Sequence, residues 1–426
     1  MKIRFEYSLL HLQIGVVCFF FCLFCFFPDA RAQELVPAWK GVPGVVLVVD
    51  KSQQKLFVYD GEKRGLLREI VCTTGQAKGD KLVEGDLRTP EGVYFIERRI
   101  ENGLDFELYG GQALVLNFPN PVDKAAQKTG YGIWIHGRGR LIVPRDTRGC
   151  VAMDNENLNA LRTQSQLGWT PVFIVNSLPV REQAGSSEDL SLLVDKTGKW
   201  ARNWSAKSDA FFAGYNPQAS IAGRSFSTFA AQKRNLFRRY AWIHVFLSSV
   251  RVVCAGSYAV TYFGQLYQAP GCSLEGIKRL YWQKDKDGNW KIVGEEWRRK
   301  DLGLQKVYRQ QRRPKLLAWL ESWRQAWEKG SLERYGACYL QTAAQGRRKG
   351  LQAICEHKKE VWNKAMPTRV EFENIQIRDV PEGVVVSATQ IFADATGYQD
   401  RGLKELLLLP DGENSWKIVR EEWKKQ

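Results

Sequence analysis

The sequence predicts a mostly β domain followed by two α+β domains, and three observations carry that prediction. Strand-like runs separated by Gly, Pro and Asp fill residues 35–177. A polar stretch with Pro, Gly and Ser, LPVREQAGSSEDL, follows at 178–190 and reads as a linker. Beyond it one pattern occurs twice: a single offset of 126 aligns Gly276 with Gly402, Trp290 with Trp416 and Trp297 with Trp423. Two copies are too few for a solenoid, so each is expected to close its own core.

At about 150 residues per domain, 426 residues allow two to four domains. The apolar fraction of 44% and the 15 Trp supply ample core and exclude a largely disordered chain. No G-x-y or heptad run supports a collagen-like or coiled-coil reading. The net charge of +16 favours an anionic partner: nucleic acid, a membrane surface or an anionic polymer.

Residues 1–32 carry Lys2 and Arg4, an apolar run from Ile14 to Phe27, and Ala30-Arg31-Ala32. They read as a signal peptide ending before Gln33. Counted back to Leu9 the run has 19 mostly apolar residues, enough to span a bilayer as an uncleaved anchor. Either way the chain is expected to be exported to the periplasm or cell envelope, touching membrane only through this segment. Export disfavours nucleic acid, and no zinc-finger or Gly-rich RNA-binding motif is present. No P-loop, G-x-G-x-x-G or H-E-x-x-H motif occurs, and no cofactor or metal is expected. An exported chain can form disulfides, and local bridges 254/272 and 338/355 are open to it.

Within the β domain, expected over 33–178, GVVLVVDKSQQKLFVY at 44–59 reads as a hairpin. LLREIVCTTG, GVYFIERR, ALVLNF, GIWIHG and PVFIVN supply further strands. A short helix is expected at Glu156–Gln166, capped by Asn155. After a linker at 179–190, the repeats are expected at 191–300 and 315–426, joined by 301–314. Each opens with a helix holding Trp at i and i+4, Trp200 with Trp204 and Trp323 with Trp327, a packing pattern. No acid/base pair stands out within either repeat.

The chemistry lies at 131–155, YGIWIHGRGRLIVPRDTRGCVAMDN. Here a strand ends in His136 and Gly137, and a loop leads to Thr147-Arg148-Gly149-Cys150-Val151. A Cys nucleophile needs a base or positive neighbour to form thiolate near neutral pH. His136 is the sole histidine of the β domain, so it is the candidate base, and Cys150 is expected to show a depressed pKa. Gly149 lets backbone approach a carbonyl closely, and amides from Gly149 to Val151 are candidate oxyanion donors.

This pattern resembles the L,D-transpeptidase (YkuD-type) catalytic domain of bacterial cell-wall enzymes. Its strand ending I-H-G and its [S/T]-x-G-C-[I/V]-x-[M/L] element stand here as Ile135-His136-Gly137 and Thr147 to Met153. Upstream, Gln54, Leu56, Gly85, Asp86, Thr89, Pro90, Gly92 and Tyr94 match as well. Two positions depart: Arg148 stands where His is frequent, and Ala152 where Arg is frequent. The resemblance implies a β-sandwich in which Cys150 is the nucleophile, His136 the base and then acid, and the Gly137 carbonyl the group that orients the imidazole. It implies a peptidoglycan stem tetrapeptide as substrate, cut between meso-diaminopimelate and D-Ala. The acyl group then passes to an amine, giving a 3→3 cross-link, or to water, giving an L,D-carboxypeptidase. A scaffold that binds cell wall without catalysis is the third reading. Arg138, Arg140 and Arg148 are candidates for the substrate carboxylate. The repeats resemble nuclear transport factor 2-like (SnoaL-like) domains, cone-shaped α+β folds, and are expected to bind an envelope protein or a second copy of the chain.

Overall fold

A computed structural model describes residues 37–178, 186–412 and 414–426. The expected leader at 1–32 and most of the expected linker at 179–190 lie outside the described residues. No described helix is long and apolar enough to cross a membrane.

The β domain is one eight-stranded mixed sheet in the order 66–71, 55–60, 45–50, 171–175, 92–100, 113–116, 134–136, 151–152. The expected hairpin is present, Val45–Asp50 against Lys55–Asp60, next to the edge strand 66–71. The two ends of the sheet meet: Thr73 and Ala152 exchange backbone hydrogen bonds of 2.8 and 2.9 Å. The sheet thus folds over a core that includes Leu47, Val49, Tyr94, Leu114, Ile135 and Val151. The helix after Cys150 runs Asn155–Gln164, and its cap is Asp154, not Asn155: the Asp154 carboxylate accepts from Asn157 N at 2.8 Å.

Both repeats form a helix-covered curved sheet. In the first, helices Ser187–Ser205 and Phe226–Arg239 cover the strands from His244 to Arg299. In the second, helices Leu304–Glu328 and Leu351–Lys364 cover the strands from Tyr339 to Lys425. The tryptophans expected in the core are there, with Trp200, Trp204, Trp323 and Trp327 all buried. The sheets even bulge at matching places, Tyr281/Trp282 and Leu407/Leu408.

Three readings of the connections change. Residues 301–314 are not a bare connector: the helix of the second repeat begins at Leu304, because Gly303 turns with a φ of +65° and Leu304 and Tyr308 find a core with Leu266. Residues 38–40, taken as the start of the first domain, pair with Val252–Cys254 of the first repeat. Neither local disulfide forms, since Cys272, Cys338 and Cys355 are free thiols.

The first repeat is welded to the β domain. Trp39, Val48, Phe95 and Phe173 share one core with Tyr258, Tyr262, Tyr281 and Val293. At its edge Tyr258 Oη accepts from Val93 N at 2.6 Å, and Arg279 bridges Glu97 and Glu296 at 2.6 and 3.0 Å. The weld leaves the strand carrying His136 at the other end of the sheet.

Candidate active site

Strand pairing brings the two candidate residues to one face. The strand Trp134–His136 runs parallel to Val151–Ala152, with Ile135 beside Val151 and His136 beside Ala152. Ile135 and Val151 point into the core. Side chains alternate along a strand, so Cys150 and His136 both point to the opposite face, one diagonal step apart. Residues one such step apart have Cα atoms about 7–8 Å from each other, within reach of a thiol and an imidazole.

The loop between them is pinned at its far end. Gln54, itself in the left-handed region at φ +53°, accepts Arg145 N at 2.8 Å and Thr74 N at 3.0 Å on its amide oxygen. Thr73 Oγ1 accepts Asp146 N at 2.8 Å, and Thr147 N donates to Thr74 O at 3.1 Å. These bonds fix the approach to Cys150 while leaving Leu141 at the loop tip 87% exposed. Gly149 follows at φ +130°, where a Cβ would lie 2.9 Å from the Arg88 carbonyl, so only glycine fits. Thr147 Oγ1 donates to Cys150 O at 2.7 Å and accepts Gly149 N at 3.2 Å. The Gly149 amide is therefore engaged, which shifts the oxyanion assignment toward the backbone beyond it.

His136 is 2% exposed. Its Nδ1 lies 2.7 Å from the Gly137 carbonyl oxygen. A carbonyl only accepts, so Nδ1 carries the proton and Nε2 is left as a base. Tyr109 packs edge-on against the ring at 5.1 Å. Burial pushes the His136 pKa down to about 4; the Gly137 bond opposes this and the Arg138 charge adds to it.

Cys150, half-buried, donates its thiol to Gly132 O at 3.4 Å. Burial pushes its pKa up to about 11, against the opposing pull of the Trp134 backbone N–H and the Lys81 and Arg138 charges. The expected depressed thiol pKa is thus reversed, because desolvation of the thiolate outweighs the positive neighbours. With the thiol pKa raised and the imidazole pKa lowered, the proton is expected to move to His136 as sulfur attacks. We therefore expect kcat/KM to stay flat from about pH 5 to 9, with the acid limb near the low His136 pKa. Alkylation of the resting thiol by iodoacetamide should be slow at pH 7 and rise toward pH 11. Rapid alkylation at pH 6 would instead reveal a preformed thiolate–imidazolium pair. The same shift bears on stability. The folded state holds His136 neutral, so the unfolded chain takes the proton first, and this contribution, complete above about pH 6.5, is lost as pH falls toward 4.

The arginines separate. Arg138 is buried and gives its guanidinium to the Asp146 carboxylate and carbonyl, and Arg140 reaches the same carboxylate at 2.9 Å. Arg148 is exposed and has no ion-pair partner among the described residues. Of the three candidates for a substrate carboxylate, it alone keeps an uncommitted charge.

Sequence reasoning missed Asn155 as a neighbour of the base. A Cβ on Gly137 would stand 1.8 Å from Asn155 Oδ1, and one on Gly110 at 1.9 Å. The buried Asn155 amide oxygen thus sits against the peptide whose carbonyl orients His136. Gly137→Ala should cost about 10- to 100-fold in kcat by displacing that carbonyl, and Gly137→Ala with Asn155→Ala should recover part of it. Steady-state kinetics of the single and double variants would check this, and a double variant no better than the single would refute it.

Also missed were ionic groups inside the repeats. Lys278 pairs with Glu295 at 2.8 Å, and Lys404 with Glu421 at 2.6 Å, all buried or nearly so. Lys233 and Lys358 stand over Trp204 and Trp327 at 3.9 and 4.2 Å. Burial raises the Glu421 pKa, but Lys404 and Lys358 prevail and hold it at about 2. The repeat offset of 126 relates both Lys–Glu pairs, a signal already present in the sequence.

Comparison with known proteins places these features in context. The model of the L,D-transpeptidase catalytic domain, YkuD, matches residues 44–174. That of the Cds6 C-terminal NTF2-like domain matches twice, at 192–296 and 315–422. The putative L,D-transpeptidase YafK of Escherichia coli K12 is 32% identical over 107 residues, which make up 25% of this chain and 40% of YafK. The chain thus spans less than half of that curated relative. Among solved structures, Bd1075 of Bdellovibrio bacteriovorus is 28% identical with a TM-score of 0.50, covering 63% of this chain and 98% of that one. The helical cell shape determining protein Pgp2 of Campylobacter jejuni is 26% identical with a TM-score of 0.50, covering 62% of this chain and 94% of that one.

Proposed function

We propose that the chain, whose residues 44–174 belong to the L,D-transpeptidase (YkuD) catalytic-domain family and are followed by two NTF2-like domains, is an exported cysteine acyltransferase of peptidoglycan. The observation that carries this reading is the placement of His136, its Nδ1 held by Gly137, and Cys150 on adjoining strands, where the register sets them one diagonal step apart. Cys150 Sγ attacks the carbonyl of the bond between meso-diaminopimelate and D-Ala while its proton passes to His136 Nε2. The tetrahedral oxyanion collapses, the C–N bond breaks, and His136 returns the proton to the departing D-Ala amine. A thioester remains. An acceptor amine, deprotonated by His136, attacks it, forms the new amide and restores the thiol. Arg148 is the cation we assign to the substrate carboxylate. The leader at 1–32 supports an envelope location, and the shape role named for Pgp2 fits an enzyme acting on the wall.

The test is to incubate the chain lacking residues 1–32 with a disaccharide-tetrapeptide and follow products by mass spectrometry. Dimers linked through diaminopimelate are the expected product. Tripeptide alone would replace this reading with an L,D-carboxypeptidase. No product, with no acyl-enzyme mass, would favour a wall-binding scaffold.

A further inference from the structure

The helix Leu304–Glu328 serves both repeats. Its first half lies on the first repeat, where the Tyr308 ring packs at a tilt against His244 at 4.6 Å and Phe246 at 5.4 Å. Its second half gives Trp323 and Trp327 to the core of the second repeat. Pro314 marks the change.

A cavity of about 640 Å³ opens between this helix, the helix Ser187–Ser205 and the strand His244–Leu247. That size suits a small-molecule site. The wall is largely apolar, with Val194, Ala201, Val245, Phe246, Leu247 and Tyr308. Arg202, Arg312 and Lys315 also line it, opposed only by Asp195 among the lining residues. Arg202 and Lys315 are exposed and have no ion-pair partner among the described residues. Arg312 is buried and binds Asp379 at 2.8 Å, yet its Nε is buried without a partner. His244 Nε2 is likewise buried without a partner. Burial and the Arg312 charge push the His244 pKa down to about 4, so the ring adds no charge near neutral pH. The apolar wall beside a surplus of cations matches an anionic head on a hydrocarbon body.

We propose that this junction cavity binds a single-chain anionic amphiphile, its chain along Val194 and Phe246 and its head among Arg202, Arg312 and Lys315. The site is built from the two repeats alone, and its occupancy does not depend on the reaction assigned to Cys150. A free fatty acid and a lipid in a bilayer present the same chemistry.

The test is calorimetric titration of the full chain with dodecanoate below its micelle concentration, beside acetate and dodecyltrimethylammonium. Dodecanoate should bind one to one, at least about tenfold more tightly than either control, since one lacks the chain and the other the anion. Gly198→Leu projects into the cavity, where a Cβ meets only the end of Arg202 at 3.3 Å, and should abolish binding. Arg202→Gln with Lys315→Gln alters only exposed ends, so it keeps the test decisive if Gly198→Leu fails to fold. It should weaken dodecanoate about fivefold or more. Flotation with phosphatidylglycerol vesicles, lost in Gly198→Leu, would identify bilayer lipid as the source; dodecanoate binding without flotation would identify a free amphiphile. Absent dodecanoate binding, equal binding of the cationic chain, or binding unchanged in the double glutamine variant would overturn the proposal.

Discussion

Cys150→Ala should bring turnover to background, and His136→Ala should lower kcat/KM by about 10²- to 10⁴-fold, the usual contribution of a positioned base. The two losses have different origins. Without sulfur no thioester can form, so the acyl-enzyme mass should vanish. Without the imidazole the thiol remains, but its pKa of about 11 leaves almost no thiolate at pH 7. His136→Ala activity should therefore rise with pH toward 11, whereas the parent stays flat. Product formation by Cys150→Ala, or a His136→Ala variant with the parent's rate and pH profile, would remove both residues from the mechanism. The readouts are product mass spectrometry and pH–rate profiles.

A chain ending at residue 178 should fail to fold, while one ending at residue 300 should melt cooperatively. The β domain has two hydrophobic faces. One is enclosed by its own sheet; the other, with Trp39, Val48, Phe95 and Phe173, is covered by Tyr258, Tyr262, Tyr281 and Val293 of the first repeat. Each large side chain returned to water costs about 1.5–3 kcal/mol. Four of them approach the about 5–15 kcal/mol that holds a typical domain together. The shorter chain also leaves the strand 38–40 without its partner at 252–254. By contrast, ending at 300 removes the second repeat, whose main core is its own, and uncovers on the first repeat only the small cluster that Leu304 and Tyr308 form with Leu266. Circular dichroism melts of both chains would decide, and a cooperative native-like melt of residues 33–178 would show that the shared core is dispensable.

Much of this was legible in the chain. The alternation of strands, the I-H-G and G-C elements and the repeat offset are local patterns, and local patterns survive without coordinates. Trp200, Trp204, Trp323 and Trp327 were readable as core because helical spacing puts i and i+4 on one face. The cap at Asp154 escaped because two adjacent residues, Asp154 and Asn155, are both competent caps, and packing against Gly137 and Gly110 claims the second. The Lys–Glu pairs escaped because their members lie 17 residues apart on neighbouring strands, where register decides who meets.

The sequence by itself determined which domains form, their order and the two residues whose chemistry matters, since these follow from side-chain type and spacing. Only the tertiary structure decided their ionisation. Packing pushes the thiol pKa up and the imidazole pKa down, and desolvation depends on every neighbour at once. It also decided that the β domain and first repeat share a core, and that Asp146 occupies Arg138 and Arg140 while Arg148 has no ion-pair partner among the described residues. Each of these depends on distances between segments far apart in the chain, which no local pattern encodes.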